Sequence, residues 1–238
     1  MSRQVLGDIK GITTIVAIGN TPYVIRNTDN QIYKWVNGVW DKVSNNSYYN
    51  NSRKFSAYKD TLYNLTMYDG NGEHTHIYEK DEKSGNDWTN LVGGIDENCL
   101  EIMIMEIAGE KRYIARYNEK IKIFKSGEGW QDIFSEDIHT IDMAIFENKF
   151  YFINALDNRV YNCDENWNIS EPLPGNFRAI KIEVNKYFVC IIDEKNQVCI
   201  HNGSYWEVIT DAGFAKDIAL SGITIFTLDS EDNRVYKV

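Results

Sequence analysis

The sequence predicts an all-β fold, a six-bladed β-propeller of four-stranded antiparallel blades, its ring closed by the N-terminal strand joining the C-terminal blade. Three observations predict it. First, the chain meets its own beginning: shifted by 203 positions, Val5, Asp8, Ile15, Gly19, Thr21, Asp29, Asn30, Tyr33 and Lys34 fall on identical residues, Val208 through Lys237, without a gap. Second, an Ile or Val that opens a third strand recurs at Ile32, Ile77, Ile121, Val160, Val198 and Val235. Those positions average about 41 residues apart, the spacing of propeller blades. Third, a Trp assigned to the fourth strand recurs at Trp40, Trp88, Trp130, Trp167 and Trp206, and Arg3 falls on that position in the sixth repeat. The repeat thus breaks off after its third strand at Val238 and resumes at the N-terminus, as a ring requires if both ends share one blade.

The first unit shows each element in order. Ile15–Ile18 reads as an inner strand and Pro22–Arg26 as the second. Asn27–Asn30 is a turn, because Asn and Asp tolerate left-handed backbone and bond their own main chain. Ile32–Trp35 is the third strand, Asn37-Gly38 the short-hairpin signal, and Trp40 the start of the fourth. The pre-third-strand turn recurs as Asp157-Asn158, Lys195-Asn196 and Asp232-Asn233. The last blade is read as residues 215–238 plus 3–8, and residues 1–238 as a single domain.

Composition narrows function. With 25 basic and 35 acidic residues the net charge is −10, which repels phosphate backbones and argues against nucleic acid as a partner. No apolar run is long enough to span a membrane as a helix, and the N-terminus lacks the basic and apolar regions of a signal peptide, so a cytoplasmic location is expected by default, with release or non-standard export as the alternative. The four cysteines, Cys99, Cys163, Cys190 and Cys199, form no CxxC pair and read as buried free thiols.

Catalytic and metal constellations are not legible. His74-x-His76 has no third ligand at supporting spacing, and the Asp229–Asn233 run reads as a solvated hairpin tip. No nucleophile elbow, phosphate loop or dinucleotide fingerprint occurs. A hydrolase would need an acid–base pair in the central channel, which the sequence does not display. The expectation is therefore a non-enzyme without cofactor or metal. The second repeat carries the longest turns, at residues 68–76 and 79–87, which read as tolerated insertions more than as functional loops.

The run Tyr23-Val24-Ile25-Arg26-Asn27, then Gln31-Ile32-Tyr33-Lys34-Trp35, then Trp40-Asp41-Lys42-Val43 resembles the tectonin repeat, and Val198–Trp206 is a second good copy. The resemblance covers the chain as six units, strong in the first, fifth and sixth. It implies a six-bladed lectin-like propeller that binds glycans. The chain departs from the family pattern where Tyr23-Val24-Ile25 and Phe150-Tyr151-Phe152 stand for a Gly- and Trp-containing second strand, and where His201, Cys163 and Val238 stand in the place of Trp35.

Sugars are recognised by an aromatic ring against their C–H face and by amides and carboxylates at their hydroxyls. The hairpins holding Trp35, Asn37 and Trp40, and His201, Asn202, Tyr205 and Trp206, carry both kinds of group. These seven are the candidate ligand-binding residues. A Trp that recurs once per blade also reads as inter-blade packing, which favours a core role for Trp40 and Trp206 and a surface role for Trp35, His201 and Tyr205. The expected partners are glycans or glycoconjugates. The alternative is a protein-interaction scaffold whose acidic face docks a basic partner.

Overall fold

Alternating Ile, Val, Phe and Tyr with Gly-, Asn- and Asp-rich turns every few residues produce strands throughout. A computed structural model describes residues 3–43, 52–67, 75–84, 87–95, 98–118, 120–134 and 138–238. The 68–74 loop with His74, and residues 85–86 of the next turn, lie outside the described residues.

Strand β1 (Gln4–Val5) is followed by the first blade, β2 (Ile12–Ile18), β3 (Thr21–Arg26), β4 (Gln31–Val36) and β5 (Val39–Lys42). The second blade is β6 (Ser52–Tyr58), β7 (Thr61–Met67), β8 (Thr75–Asp81) and β9 (Thr89–Ile95). The third is β10 (Glu101–Ile107), β11 (Glu110–Arg116), β12 (Ile121–Lys125) and β13 (Gly129–Asp132). The fourth holds β14 (Thr140–Phe146), β15 (Lys149–Asn154) and β16 (Val160–Cys163), and the fifth β17 (Ala179–Val184), β18 (Val189–Asp193), β19 (Val198–His201) and β20 (Trp206–Val208). In the sixth, β21 (Ala215–Ser221), β22 (Thr224–Asp229) and β23 (Val235–Lys237) are completed by β1. The predicted six-bladed propeller is the observed fold.

Six hydrophobic cores lie one in each seam between neighbouring blades. The closing seam packs Ile12, Ile15 and Val24 of the first blade on Ala219, Phe226, Leu228 and Val235 of the sixth, with Leu6 and Ile9 between them. Closure is also a ladder: Gln4 pairs with Lys237 and Val5 with Tyr236, and the Leu6 N–H donates to the Val235 carbonyl at 2.8 Å. Without it β23 would be an open sheet edge. Burial is greatest at the second strand, wholly buried in β18 beside the half-buried axial β17, and falls toward the rim, where β5 is largely exposed.

The turn reading holds in detail. Asn30, Asn158, Asn196 and Asn233 all take left-handed backbone, with φ of 51°, 58°, 57° and 56°. In three of these turns a Tyr hydroxyl donates back to the turn Asp, Tyr33 to Asp29, Tyr161 to Asp157 and Tyr236 to Asp232, at 2.7–2.8 Å. All four cysteines are buried free thiols.

One element differs from expectation. Trp167 does not begin a fourth strand; it sits in a tight turn at φ 64°, its N–H donating to the Asp164 carbonyl at 3.0 Å. No fourth strand forms there among the described residues: the outer edge is marked by one bridge, Cys163 to Ile169, and by the Ser170 and Leu173 N–H groups donating to the Asn162 and Val160 carbonyls at 2.8 Å. Pro172 and Pro174, on either side of Leu173, lack the N–H that a regular outer strand needs.

Candidate functional site at the closing seam

The turn Asn37-Gly38, with φ of 50° and 86°, is the tight hairpin that holds β4 against β5. It sets Trp35 directly opposite Trp40, ring centroids 5.2 Å apart. The same cross-strand place is filled by Phe124 and Trp130 at 5.4 Å, and by His201 and Trp206 at 5.0 Å. Each such pair belongs to the third and fourth strands of its blade.

What the first-blade pair covers decides its character. The Trp40 indole N–H donates to the Leu6 carbonyl at 2.8 Å. Gly7, at φ 62°, lies so close under Trp35 that a Cβ there would clash with the ring. Trp206 lies likewise over Gly175 of the connection into its own blade, with Phe177 at 5.9 Å. Both members of the Trp35–Trp40 pair therefore staple the incoming loop, and each keeps part of its ring exposed.

Around this pair opens a cleft of about 630 Å³, lined by the Gly7–Lys10 loop, Arg26, Thr28, Tyr33, Trp35, Trp40 and the Gly38–Val39 tip. One wall is a fixed network: Arg26 Nε donates to Asp29 at 3.1 Å, its guanidinium lies 4.5 Å over the Tyr33 ring, and Tyr33 donates to Asp29. Hydrogen bonding from Arg26 holds the Asp29 carboxyl down at about 2. On the other wall Asp8 and Lys10 are exposed. Asn37, at the hairpin tip, does not line the cleft.

The second predicted hairpin is built differently. His201, expected at the surface, is instead buried, its Nδ1 accepting from the Gly203 N–H at 3.2 Å, and burial pushes its pKa down. Asn202 is spent on the turn, its Oδ1 accepting from the Ser204 and Tyr205 N–H groups at 3.1 and 3.2 Å. Tyr205 is 60% exposed. The structure thus gathers Trp35 and Trp40 at one cleft and leaves His201, Asn202, Tyr205 and Trp206 at another seam.

A further constellation lies on the axis. One residue at the same place in each inner strand, Thr14, Lys54, Glu101, Asp142, Lys181 and Asp217, lines a channel cavity of about 140 Å³. Asp142 and Asp217 accept from the Ile182 and Ile15 N–H groups of the next blades at 2.9 and 3.0 Å. Lys181 reaches both, at 3.7 and 3.9 Å, while Glu101 takes Arg116 at 3.0 Å and Lys54 at 3.6 Å. Burial alone would push the Glu101 carboxyl up, but Lys54 and Arg116 outweigh it and hold it at about 2. Burial and the Glu101 charge push Asp142 up to about 6. Sequence reasoning missed this ring, although a polar residue directly before Ile15, Phe55, Ile102, Met143, Ile182 and Ile218 is a readable signal.

Buried carboxyls with opposed pKa shifts stand on the axis, an arrangement that the sequence did not display. Among the described residues no group of three or more His, Cys, Asp or Glu is placed to hold a metal.

No protein-family model and no curated protein matches the chain, so the tectonin resemblance rests on the repeat residues alone. Solved structures do match. A Bacteroides thetaiotaomicron protein of unknown function is 13% identical at a TM-score of 0.68, over 99% of this chain and 71% of that one. YCF48 bound to D1 peptide is 16% identical at 0.57, over 95% of this chain and 78% of that one. Virginiamycin B lyase from Staphylococcus aureus is 12% identical at 0.60, over 95% and 79%. At these identities the likeness shows the fold. That fold includes a lyase, so the expectation that the chain is not an enzyme is withdrawn.

Proposed function

We propose that this propeller binds a saccharide in the cleft where the sixth blade meets the first. The observation that carries the reading is the cleft itself: it combines part-exposed Trp35 and Trp40 rings with the Arg26–Tyr33 wall and the exposed Asp8 and Lys10. An apolar platform edged by a few fixed polar groups suits a sugar ring, and its volume suits a short oligosaccharide. The tectonin resemblance is strongest in the same residues. Because the wall is already hydrogen-bonded, little side-chain entropy is lost on binding.

A glycan array at low and high salt tests it. Saturable, salt-resistant binding to one sugar class, weakened at least tenfold by Asp8→Ala and abolished by Trp35→Ala, supports the reading. A blank array from folded protein overturns it. A second reading, a protein-interaction scaffold, draws on the net charge of −10 and on YCF48, which was solved with a peptide. It predicts binding that free sugars leave unchanged and that weakens with salt.

A further inference from the structure

Two residues beyond the polar ring, the channel-lining positions are Val16, Ser56, Met103, Glu183 and Ala219. Glu183 and Ser56 belong to the fifth and second blades, which face each other across a six-fold ring. Neither is satisfied. No hydrogen bond or ion pair engages the Glu183 carboxylate among the described residues. Ser56 is 6% exposed and its Oγ has no partner.

The charge balance singles out Glu183. Lys54, Arg116 and Lys181 face Glu101, Asp142 and Asp217 and are taken up by them, leaving Glu183 as one carboxylate in excess. Glu183 is half-buried, stands among like charges and is offset only by Lys181, which makes no ion pair with it, and a carboxylate so placed is costly. It must take a proton or a cation. The six inner strands β2, β6, β10, β14, β17 and β21 are edge strands, so each turns backbone groups toward the axis. Carbonyl, hydroxyl and carboxylate oxygens are the ligands of hard cations. Lys54 and Lys181 stand one layer away and disfavour a second positive charge.

We infer that the central channel binds one singly charged cation, held by the Glu183 carboxylate and Ser56 Oγ. The cavity of about 140 Å³ has room for such an ion and its waters. Protons compete for the same site: burial, then the Asp142, Asp217 and Glu101 charges, push the Glu183 carboxyl well up, against the opposing pull of Lys181. Binding is therefore stronger at alkaline pH and releases a proton.

Thermal unfolding at pH 8 tests this in potassium, sodium, ammonium and N-methylglucamine chlorides at matched ionic strength. One or more of the small cations should raise Tm saturably by about 5 °C over N-methylglucamine, which is too large to enter. Comparison of the metal and ammonium arms identifies the source of the charge. Glu183→Gln should abolish the difference between salts, and Ser56→Ala should raise the concentration needed for half the effect. Equal Tm values in all four salts overturn the inference, as does a Glu183→Gln protein that keeps the wild-type ion dependence. Should Glu183→Gln fail to fold, the wild-type salt series and Ser56→Ala decide the matter by the same readout.

Discussion

Gly7 shows how much a single residue carries at the seam. Its φ of 62° and the Trp35 ring above it exclude a side chain on two separate grounds. Gly7→Ala should cost about 3 kcal/mol, strain and overpacking together. Gly38→Ala is the control, because its φ is 86° but nothing lies within 4 Å, and it should cost about 1 kcal/mol. Urea midpoints of the two variants check the pair; equal losses would mean that the Trp35 contact is not tight. The Trp40 indole offers a narrower test. Trp40→Phe removes the bond to the Leu6 carbonyl and part of the indole's packing against Trp35, and should cost about 2 kcal/mol by the same measurement. Of the seven predicted site residues, Trp35 and Trp40 line a cleft that the sequence did not predict, on a hairpin that it did, set by Asn37-Gly38. It could not show that His201 is buried, since that depends on Trp206 folding back over it.

At the scale of elements, the inner strands carry the pH dependence. Glu101 is held below its ordinary pKa, so its stabilisation is present above about 4.5 and is lost as pH falls toward 2. Asp142 runs the other way. Its folded pKa of about 6 lies above the ordinary value, so ionisation costs stability, and the cost appears as pH rises from about 4 through 6. Asp142→Asn keeps an acceptor for the Ile182 N–H and removes that cost. The variant should gain on wild type between pH 4 and pH 7 by about 3 kcal/mol, read from denaturation midpoints across that range. A constant difference would contradict the shift. These groups were missed as a set because their types vary from Thr to Lys to Asp between repeats, although their common place before an apolar residue was readable. Strand type was legible, since it follows from apolar alternation and turn residues. The exception is the fourth blade's outer edge, where Trp167 marks the repeat but Asp164 and two prolines turn the chain away from a ladder.

The whole molecule is a ring of six seams, five made between blades continuous in sequence and one made by bringing the two ends together. That sixth seam was legible because Val5 and Asp8 repeat Val208 and Asp211 at the fourth-strand place. It holds a shared core, a strand pairing and two rim ion pairs, Arg3 to Asp211 and Arg234 to Asp8. The candidate saccharide cleft is built on it, so closure positions the site as well as the fold. The rim pairs are exposed and contribute little; the core and ladder dominate.

Hydrogen exchange of the chain lacking residues 1–10, compared with the full chain, tests closure most directly. A closed ring predicts that protection falls in all six blades, because opening one seam exposes two blade faces and loosens the rest. Loss confined to β21–β23 and the first blade, with the other blades as protected as before, would contradict it.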